Sequence, residues 1–446
     1  MLNGPLWNKI PQFALPVAAT AILEQLFNAS DIAVVGNFSG AASTIAVAAV
    51  GANSFVISLV VNFFIGIALG ANVVIANAIG REDTDAVHRA VHTAVVVAVL
   101  GGVLVTVLGE LAAGPALRAL NVPAEVLPYA LLYLRIYLLG VPVILLYNFE
   151  AAIFRSVGDT RVPLQTLAFS GVLNVLLNLF FVIVLHMTVN GVATATVLSN
   201  AISSVLLFVR LRRSDKAIHL EWAELRIDRR SLQKILQIGI PAGIQSAVFS
   251  ISNIVIQSAI NSLGTVVMAA SSAAFNIEVV AYDVLNSFSQ ACTTFVGQNY
   301  GAGKLDRCRK TLVLCLVEDA LASGIAILLV LGSGHFLLSL FNRDPEVIAL
   351  GYTRLMTVFT AYFFSMLYEV MSGYLRGFGI SLVPALLTML GVCGVRILWI
   401  ATAFPRSRTF QTILLAYPLS LAATAVLILL ALLIYHPSRR TKGETV

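Results

Sequence analysis

The sequence predicts an all-α polytopic membrane protein, with twelve transmembrane helices in two six-helix bundles related by a parallel internal repeat. Composition is the first indication: 59% of the 446 residues are apolar and only 11% charged, a balance that no soluble core of this size requires. Spacing is the second, because the apolar residues fall in stretches of roughly 20 or more, the length that spans a bilayer. The third is duplication. Lys9-Ile10 through Pro16 recurs as Lys234-Ile235 through Pro241, an offset of 225. Asn77-Ala78-Ile79-Gly80 recurs as Gln298-Asn299-Tyr300-Gly301 at 221, with Asp85 and Arg89 answered by Asp306 and Lys310. Arg155, Gly158 and Pro163 recur as Arg376, Gly379 and Pro384, again at 221. A shorter first hairpin in the second copy is the simplest source of the change in offset.

Between the polar breaks, the first half gives spans near 10–36, 45–79, 88–111, 126–152, 163–186 and 191–210. The second half gives 233–261, 265–297, 312–332, 346–375, 383–404 and 412–435. Six is even, so both halves enter the membrane from one side and are related by an axis along its normal. The first span is too long, and lacks the small-residue cleavage pattern, for a removable signal peptide. The chain divides into an N-lobe (1–209), a cytoplasmic connector (210–231) and a C-lobe with a short tail (232–446).

Basic residues set the orientation. With the N-terminus inside, the inner loops, the connector and the tail hold 21 of the 28 lysines and arginines. The outer loops hold Arg118, Arg343, Arg406 and Arg408, while Arg135, Arg354 and Arg396 fall within spans. Both termini are therefore cytoplasmic, and the localisation is the plasma (inner) membrane. This distribution accounts for the net charge of +6 without nucleic acid. The connector, charged around Trp222, reads as a solvated linker, and the tail Ser438-Arg439-Arg440-Thr441-Lys442 as an inner-face anchor. Four cysteines without CxxC spacing read as buried, reduced thiols rather than disulfides or a zinc site.

Polar groups inside the spans are costly, so they are the functional candidates. Glu24, Asn28 and Asp31 stand at about 0°, 40° and −20° around the first helix and form one polar stripe. Pro16, on the same helix, removes a backbone hydrogen bond and gives it a natural bend. Asn174 and Asn178 share a face of the fifth span, Asn148 and Glu150 end the fourth, and Thr196 lies in the sixth. Such amides commonly join helices; an acid in the outer half of an apolar helix points to function. Asp31 projects onto Ile256 in the repeat, so one lobe alone carries that acid.

The residues at this point resemble the multidrug and toxic-compound extrusion family, known as MATE. The resemblance rests on Asp31…Gly36, Ala46-x-x-Ala49-x-Gly51, Gly66-x-x-x-Gly70 followed by Gly80, Arg155-x-x-Gly158-Asp159-Thr160-Arg161-x-Pro163 and Gly297-Gln298-Asn299-x-Gly301-Ala302. The ordered set covers all twelve spans. The first-helix acid makes the chain most similar to the DNA-damage-inducible and archaeal-type branch, which implies an ion-coupling and substrate site at Asp31, Asn148, Asn174, Thr196 and Tyr133. Where that branch usually has a second acid this chain has Asn178, which disfavours a sodium site at Asp31, Asn174, Asn178 and Thr196 more than a proton site. The vibrio-type C-lobe carboxylate positions fall on Ser250 and Ser365, leaving Glu278, Asp283 and Glu369 as secondary candidates.

The implied activity is secondary antiport by a monomer. It exports organic cations or other amphipathic drugs and toxins in exchange for H⁺ or Na⁺, through alternating access of the two lobes and without a bound cofactor. Phe27, Phe63, Phe64, Tyr137 and Phe275 are aromatic candidates for a broad pocket. Two rivals stay open. A flippase for a lipid-linked precursor calls for extra helices and central arginines; Arg135 and Arg396 are the only hint of these. A polytopic membrane enzyme needs clustered acids or histidines, and none is evident around His88, His92, His186, His219, His335 and His436. ATP drive is unsupported, because Gly297 through Leu305 has one residue too many for a phosphate loop and lacks its Ser or Thr. It reads as a turn between helices.

Overall fold

The computed structural model describes residues 1–40, 43–120, 122–435 and 437; His436 and the anchor Ser438 to Lys442 lie outside them. Twelve described spans are long and apolar enough to cross a membrane, and each falls on a predicted stretch. The first half contains α1 (Leu6–Phe38), α2 (Ser43–Gly80), α3 (Thr84–Ala119), α4 (Leu127–Ser156), α5 (Arg161–Leu179) and α6 (Val189–Arg212). The second contains α7 (Arg229–Asn261), α8 (Thr265–Gly301), α9 (Leu305–Ser339) and α10 (Pro345–Gly377). Its last two spans are α11 (Leu382–Thr388) with α12 (Val395–Thr402), and α13 (Phe410–Leu414) with α14 (Ala416–Tyr435).

Several helices outrun their apolar stretches. Polarity ends a hydropathy run, whereas capping ends a helix: α3 starts at Thr84 because Asp83 accepts from the Ala86 N–H at 2.9 Å. The eleventh span is also not one regular helix. A π-helical segment, Met389–Gly394, separates α11 from α12. There a Cβ on Gly391 would lie 2.2 Å from Thr424 Oγ1, so the wider turn coincides with a close approach to α14.

Exposed apolar stripes agree with a lipid environment. On α3, Leu100, Val103, Leu104, Val107, Leu108 and Leu111 follow helical spacing and are all exposed, the pattern of a face turned to hydrocarbon. Among the same helices, α4 tolerates Pro142 because the carbonyl it leaves unbonded, that of Leu138, accepts from Thr106 Oγ1 of α3 at 2.6 Å. Gly102 makes that approach feasible: a Cβ there would stand 2.4 Å from Pro142 Cα.

The repeat holds at the level of single bonds. Asn72 Nδ2 donates to the Ala152 carbonyl at 3.1 Å, and 221 residues later Thr293 Oγ1 donates to the Gly373 carbonyl at 3.1 Å. Gly158 and Gly379 close α4 and α10 with φ of 86° and 85°, left-handed values that favour glycine. The segment from Gly297 is the end of α8 and a turn into α9, with Gly303 at φ 71°.

Two compact units result, Ala19–Gly239 and Met1–Ala18 together with the chain from Ile240 onward. The division thus falls inside α1 and α7, beside Pro16 and its repeat Pro241, rather than in the connector. Leu6, Ile10, Phe13, Ala14 and Val17 belong to the core of the second unit with Phe288, Cys292 and Phe295. Phe13 meets Phe295 edge-on at 5.9 Å. In the same way Ile235 of α7 joins the core of the first unit. Helix α1 runs unbroken through Pro11 and Pro16. All four cysteines are buried and free.

The connector differs from a solvated linker. Ile218 and Leu220 are buried in the first unit, and Trp222 packs on Phe208 at 5.4 Å. Asp228 N–H donates to Thr93 Oγ1 at 2.9 Å, and the Glu221 N–H to His92 Nε2 at 3.1 Å. Glu224 pairs with His88 at 2.5 Å; that hydrogen bond first, with attraction to His88, holds its carboxyl below the usual range. Alternating apolar residues among the charges (Ile218, Leu220, Trp222) mark the docking face.

Candidate functional site

Asp31 sits in the C-terminal half of α1, buried in the first unit. Its Oδ1 accepts from Asn178 Nδ2 of α5 at 2.5 Å, and its Oδ2 from Thr196 Oγ1 of α6 at 2.9 Å. Asn178 Nδ2 also donates to Asn174 Oδ1 at 3.2 Å. Asn174 Nδ2 donates in turn to Ser199 Oγ at 3.4 Å. The i, i+4 spacing of the two asparagines puts both amides on one face of α5, and the i, i+3 spacing of Thr196 and Ser199 does the same for α6. Gly171 fixes the distance between α1 and α5: a Cβ there would lie 1.8 Å from the Phe27 ring, which fills that space. Each Asp31 oxygen therefore has one neutral donor, and no cation lies within 4.0 Å of it among the described residues.

The other candidates fall at different places. Tyr133 is buried within electrostatic reach of Asp31 and stacks on Tyr137 at 6.4 Å. Asn28 is exposed, and Asn148 Nδ2 donates to the Ile144 carbonyl of its own helix at 2.9 Å; neither joins the Asp31 cluster. Glu24, also exposed, interacts electrostatically with Tyr137, Tyr147 and Arg155. The shared stripe is real as a direction around the helix. Seven residues, though, separate Glu24 from Asp31 by about 10 Å along its axis, so the two acids occupy different depths.

Glu278 has a different environment. It is buried against Arg354, with Nε to Oε1 at 2.7 Å and Nη2 to Oε2 at 2.9 Å. Ser271 Oγ accepts from the same guanidinium at 2.5 Å. Glu369 Oε1 accepts from Tyr282 OH at 3.0 Å. Asp283 is half-buried, and its Oδ2 has no hydrogen-bond partner among the described residues. Ser250 bonds back to the Ser246 carbonyl at 3.2 Å and Ser365 is buried.

Sequence reasoning misses Ser199 and Ser204, whose hydroxyl donates to Glu150 Oε2 at 2.9 Å. Thr196, Ser199 and Ser203 at helical spacing on α6 were the available signal. For a cation, the oxygens of Asp31, Asn174, Asn178 and Thr196 are gathered, and Asn178 Oδ1 is buried without a hydrogen-bond partner among the described residues. His88, His92 and Glu224 also converge, with ligand atoms within 4.8 Å of one another. Both His92 nitrogens, however, already contact backbone, Nδ1 at the His88 carbonyl and Nε2 at Glu221, so that group serves the docked connector.

A duplicated chain of twelve apolar spans that buries acids such as Asp31, Glu150 and Glu278 among its helices has the architecture of a multi-pass membrane transporter. The MatE family profile matches residues 16–180 and 241–401, and the chain belongs to that family. The two matches start 225 residues apart and end 221 apart, the offsets of the internal repeat. The chain is 25% identical over 401 residues to a probable multidrug resistance protein, YoeA, of Bacillus subtilis, covering 88% of this chain and 86% of that one. It is 26% identical over 410 residues to the probable multidrug resistance protein NorM of Thermotoga maritima, covering 90% and 85%. The fold matches that of a multidrug resistance MATE family transporter solved in an outward-facing conformation, with TM-score 0.90 and 20% identity over 99% of this chain and 98% of that one.

Proposed function

We propose that the chain is a secondary antiporter of the plasma membrane. It exports amphipathic small molecules, organic cations among them, in exchange for a cation bound at Asp31, with H⁺ favoured over Na⁺. One observation carries the reading: Asp31 is buried yet held only by the neutral donors Asn178 and Thr196. Neutral donors stabilise the ionised acid, and when the acid takes up a proton they leave no buried cation behind. Glu278 differs in having a buried guanidinium, that of Arg354, as its partner. Asn178 also suits both states. Its Nδ2 faces the carboxylate, and a turn of the amide would present Oδ1 to a protonated Asp31. Occupation of Asp31 by the ion or by the substrate's positive charge, one at a time, then couples the two fluxes.

This reading has the transporter working as a monomer by alternating access, with both termini inside and neither ATP nor a cofactor. The test is proton counterflow in proteoliposomes. Addition of a cationic dye substrate should release lumenal protons in the wild type and none in Asp31→Asn. Equal proton release in that variant would refute the assignment.

A further inference from the structure

The second unit repeats the framework of the Asp31 pocket and reverses its charge. Thr188 caps α6 and Thr409 caps α13, which fixes the 221 offset through this span. Thr196 and Ser199 then correspond to Tyr417 and Ser420, and Asn28 corresponds to Asn253 at the 225 offset of the first helix. Asp31 itself is replaced by Ile256, buried among apolar neighbours. Onto this framework α12 places Arg396, one residue beyond the counterpart of Asn174. Its Nε donates to Ser420 Oγ at 3.1 Å and its Nη1 to Asn253 Oδ1 at 3.4 Å. The guanidinium lies over the Tyr417 ring at 4.6 Å and the Phe249 ring at 5.4 Å.

Arg396 is only 3% exposed, and among the described residues no carboxylate lies within 4.0 Å of it and its Nη2 has no hydrogen bond. The nearby acid is already committed, because Glu278 holds Arg354, whose guanidinium also lies over Tyr417, at 5.4 Å. Two guanidiniums thus lie over a single tyrosine, and only that of Arg354 has a carboxylate partner among the described residues. An intramembrane cation left without a counter-charge is costly and marks a site for one. Planar guanidinium donors match carboxylate and phosphate oxygens, and the flanking rings suit an aromatic body.

We propose that Arg396, with Asn253, Ser420, Phe249 and Tyr417, forms an anion-binding subsite that takes the carboxylate or phosphate of an aromatic small molecule. It stands apart from the reading of Asp31, since equilibrium binding requires no gradient. Trp399 lies one helical turn beyond Arg396 and anchors to the Thr412 carbonyl at 2.7 Å. Replacing Trp7 and Trp222 by Phe leaves it as the sole tryptophan reporter among the three in the chain.

Phenyl phosphate and benzoate are titrated against the full chain in phosphatidylcholine nanodiscs, with benzyltrimethylammonium as the cationic comparator. Both anions should give saturable Trp399 quenching that weakens about tenfold or more in Arg396→Gln and less in Arg396→Lys. Asp31→Asn should leave the affinity within about twofold. No saturable anion binding to the wild type, or an unchanged affinity in a folded Arg396→Gln, overturns the proposal. If Arg396→Gln does not fold, unchanged affinity in both Arg396→Lys and Asn253→Ala does the same. Phosphatidylglycerol nanodiscs form the second arm. Unchanged phenyl phosphate affinity there supports a small-molecule ligand, and loss of binding assigns the site to a lipid headgroup and overturns that ligand class.

Discussion

Asn178 donates to Asp31 Oδ1 at 2.5 Å, so this acid of the first unit rests on a neutral amide, while the buried Glu278 of the second rests on the Arg354 guanidinium. Two buried carboxylates, on the first and eighth spans, thereby have opposite kinds of partner. Asp31 can gain or lose a proton without unpairing a charge. Glu278 is tied to a buried guanidinium.

Removing that partner's counter-charge should therefore damage the protein itself. Glu278→Gln leaves Arg354 buried and unpaired, which costs about 3–5 kcal/mol. Thermal unfolding in detergent should show a marked loss, together with reduced folded yield. Asp31→Asn, which keeps hydrogen bonding to Asn178 and Thr196, should change stability by about 1 kcal/mol or less. Similar melting of the two variants would contradict the division of roles.

Packing at Gly171 offers a second check. A Cβ placed 1.8 Å from the Phe27 ring forces α1 and α5 to part or the ring to move, an overpacking cost of about 1–3 kcal/mol. Gly171→Ala should lower both stability and transport, because the same two helices carry Asp31 and Asn178. Phe27→Leu should restore much of the loss, since touching residues couple. Additive effects of the two substitutions would show that this contact does not set the helix separation.

The converse of the missing second acid is Asn178→Asp. It places a carboxyl within hydrogen-bond distance of Asp31 and gives a cation two anionic ligands. Sodium-driven efflux should rise relative to proton-driven efflux. An unchanged ratio would mean that the number of acids does not select the ion.

Orientation is testable by labelling with a membrane-impermeant thiol reagent in intact cells, where the four native cysteines are buried. Exposed Arg343, replaced by Cys, should react from outside, and Lys216→Cys in the connector should be protected. The opposite pattern would invert the topology.

Much of the framework is legible in the amino-acid sequence. Repeated prolines, glycines and basic residues gave the duplication, and apolar length gave the twelve spans. Asp31, Asn174, Asn178 and Thr196 were found because costly polar groups inside spans are few. Their pairing was not legible, because Asp31 and Asn178 are 147 residues apart and wheel angles carry no information on depth, which is why Glu24 and Asn28 were grouped with Asp31. Arg354 and Arg396 were seen only as charges within spans, since a guanidinium's partner lies on another helix. The boundary inside α1 and α7 was hidden for a similar reason. Leu6 to Val17 reads as the start of an apolar helix, and which unit it joins depends on shape at Phe288 and Phe295.

The central claim is that Asp31 couples the driving ion to export. It is tested most directly by dye efflux from vesicles under a pH gradient and a Na⁺ gradient imposed separately, in wild type and Asp31→Asn. The account predicts efflux in the wild type driven more strongly by the pH gradient, and none under either gradient in Asp31→Asn, with equal amounts of folded protein. Gradient-driven efflux that persists at the wild-type rate in Asp31→Asn would contradict it.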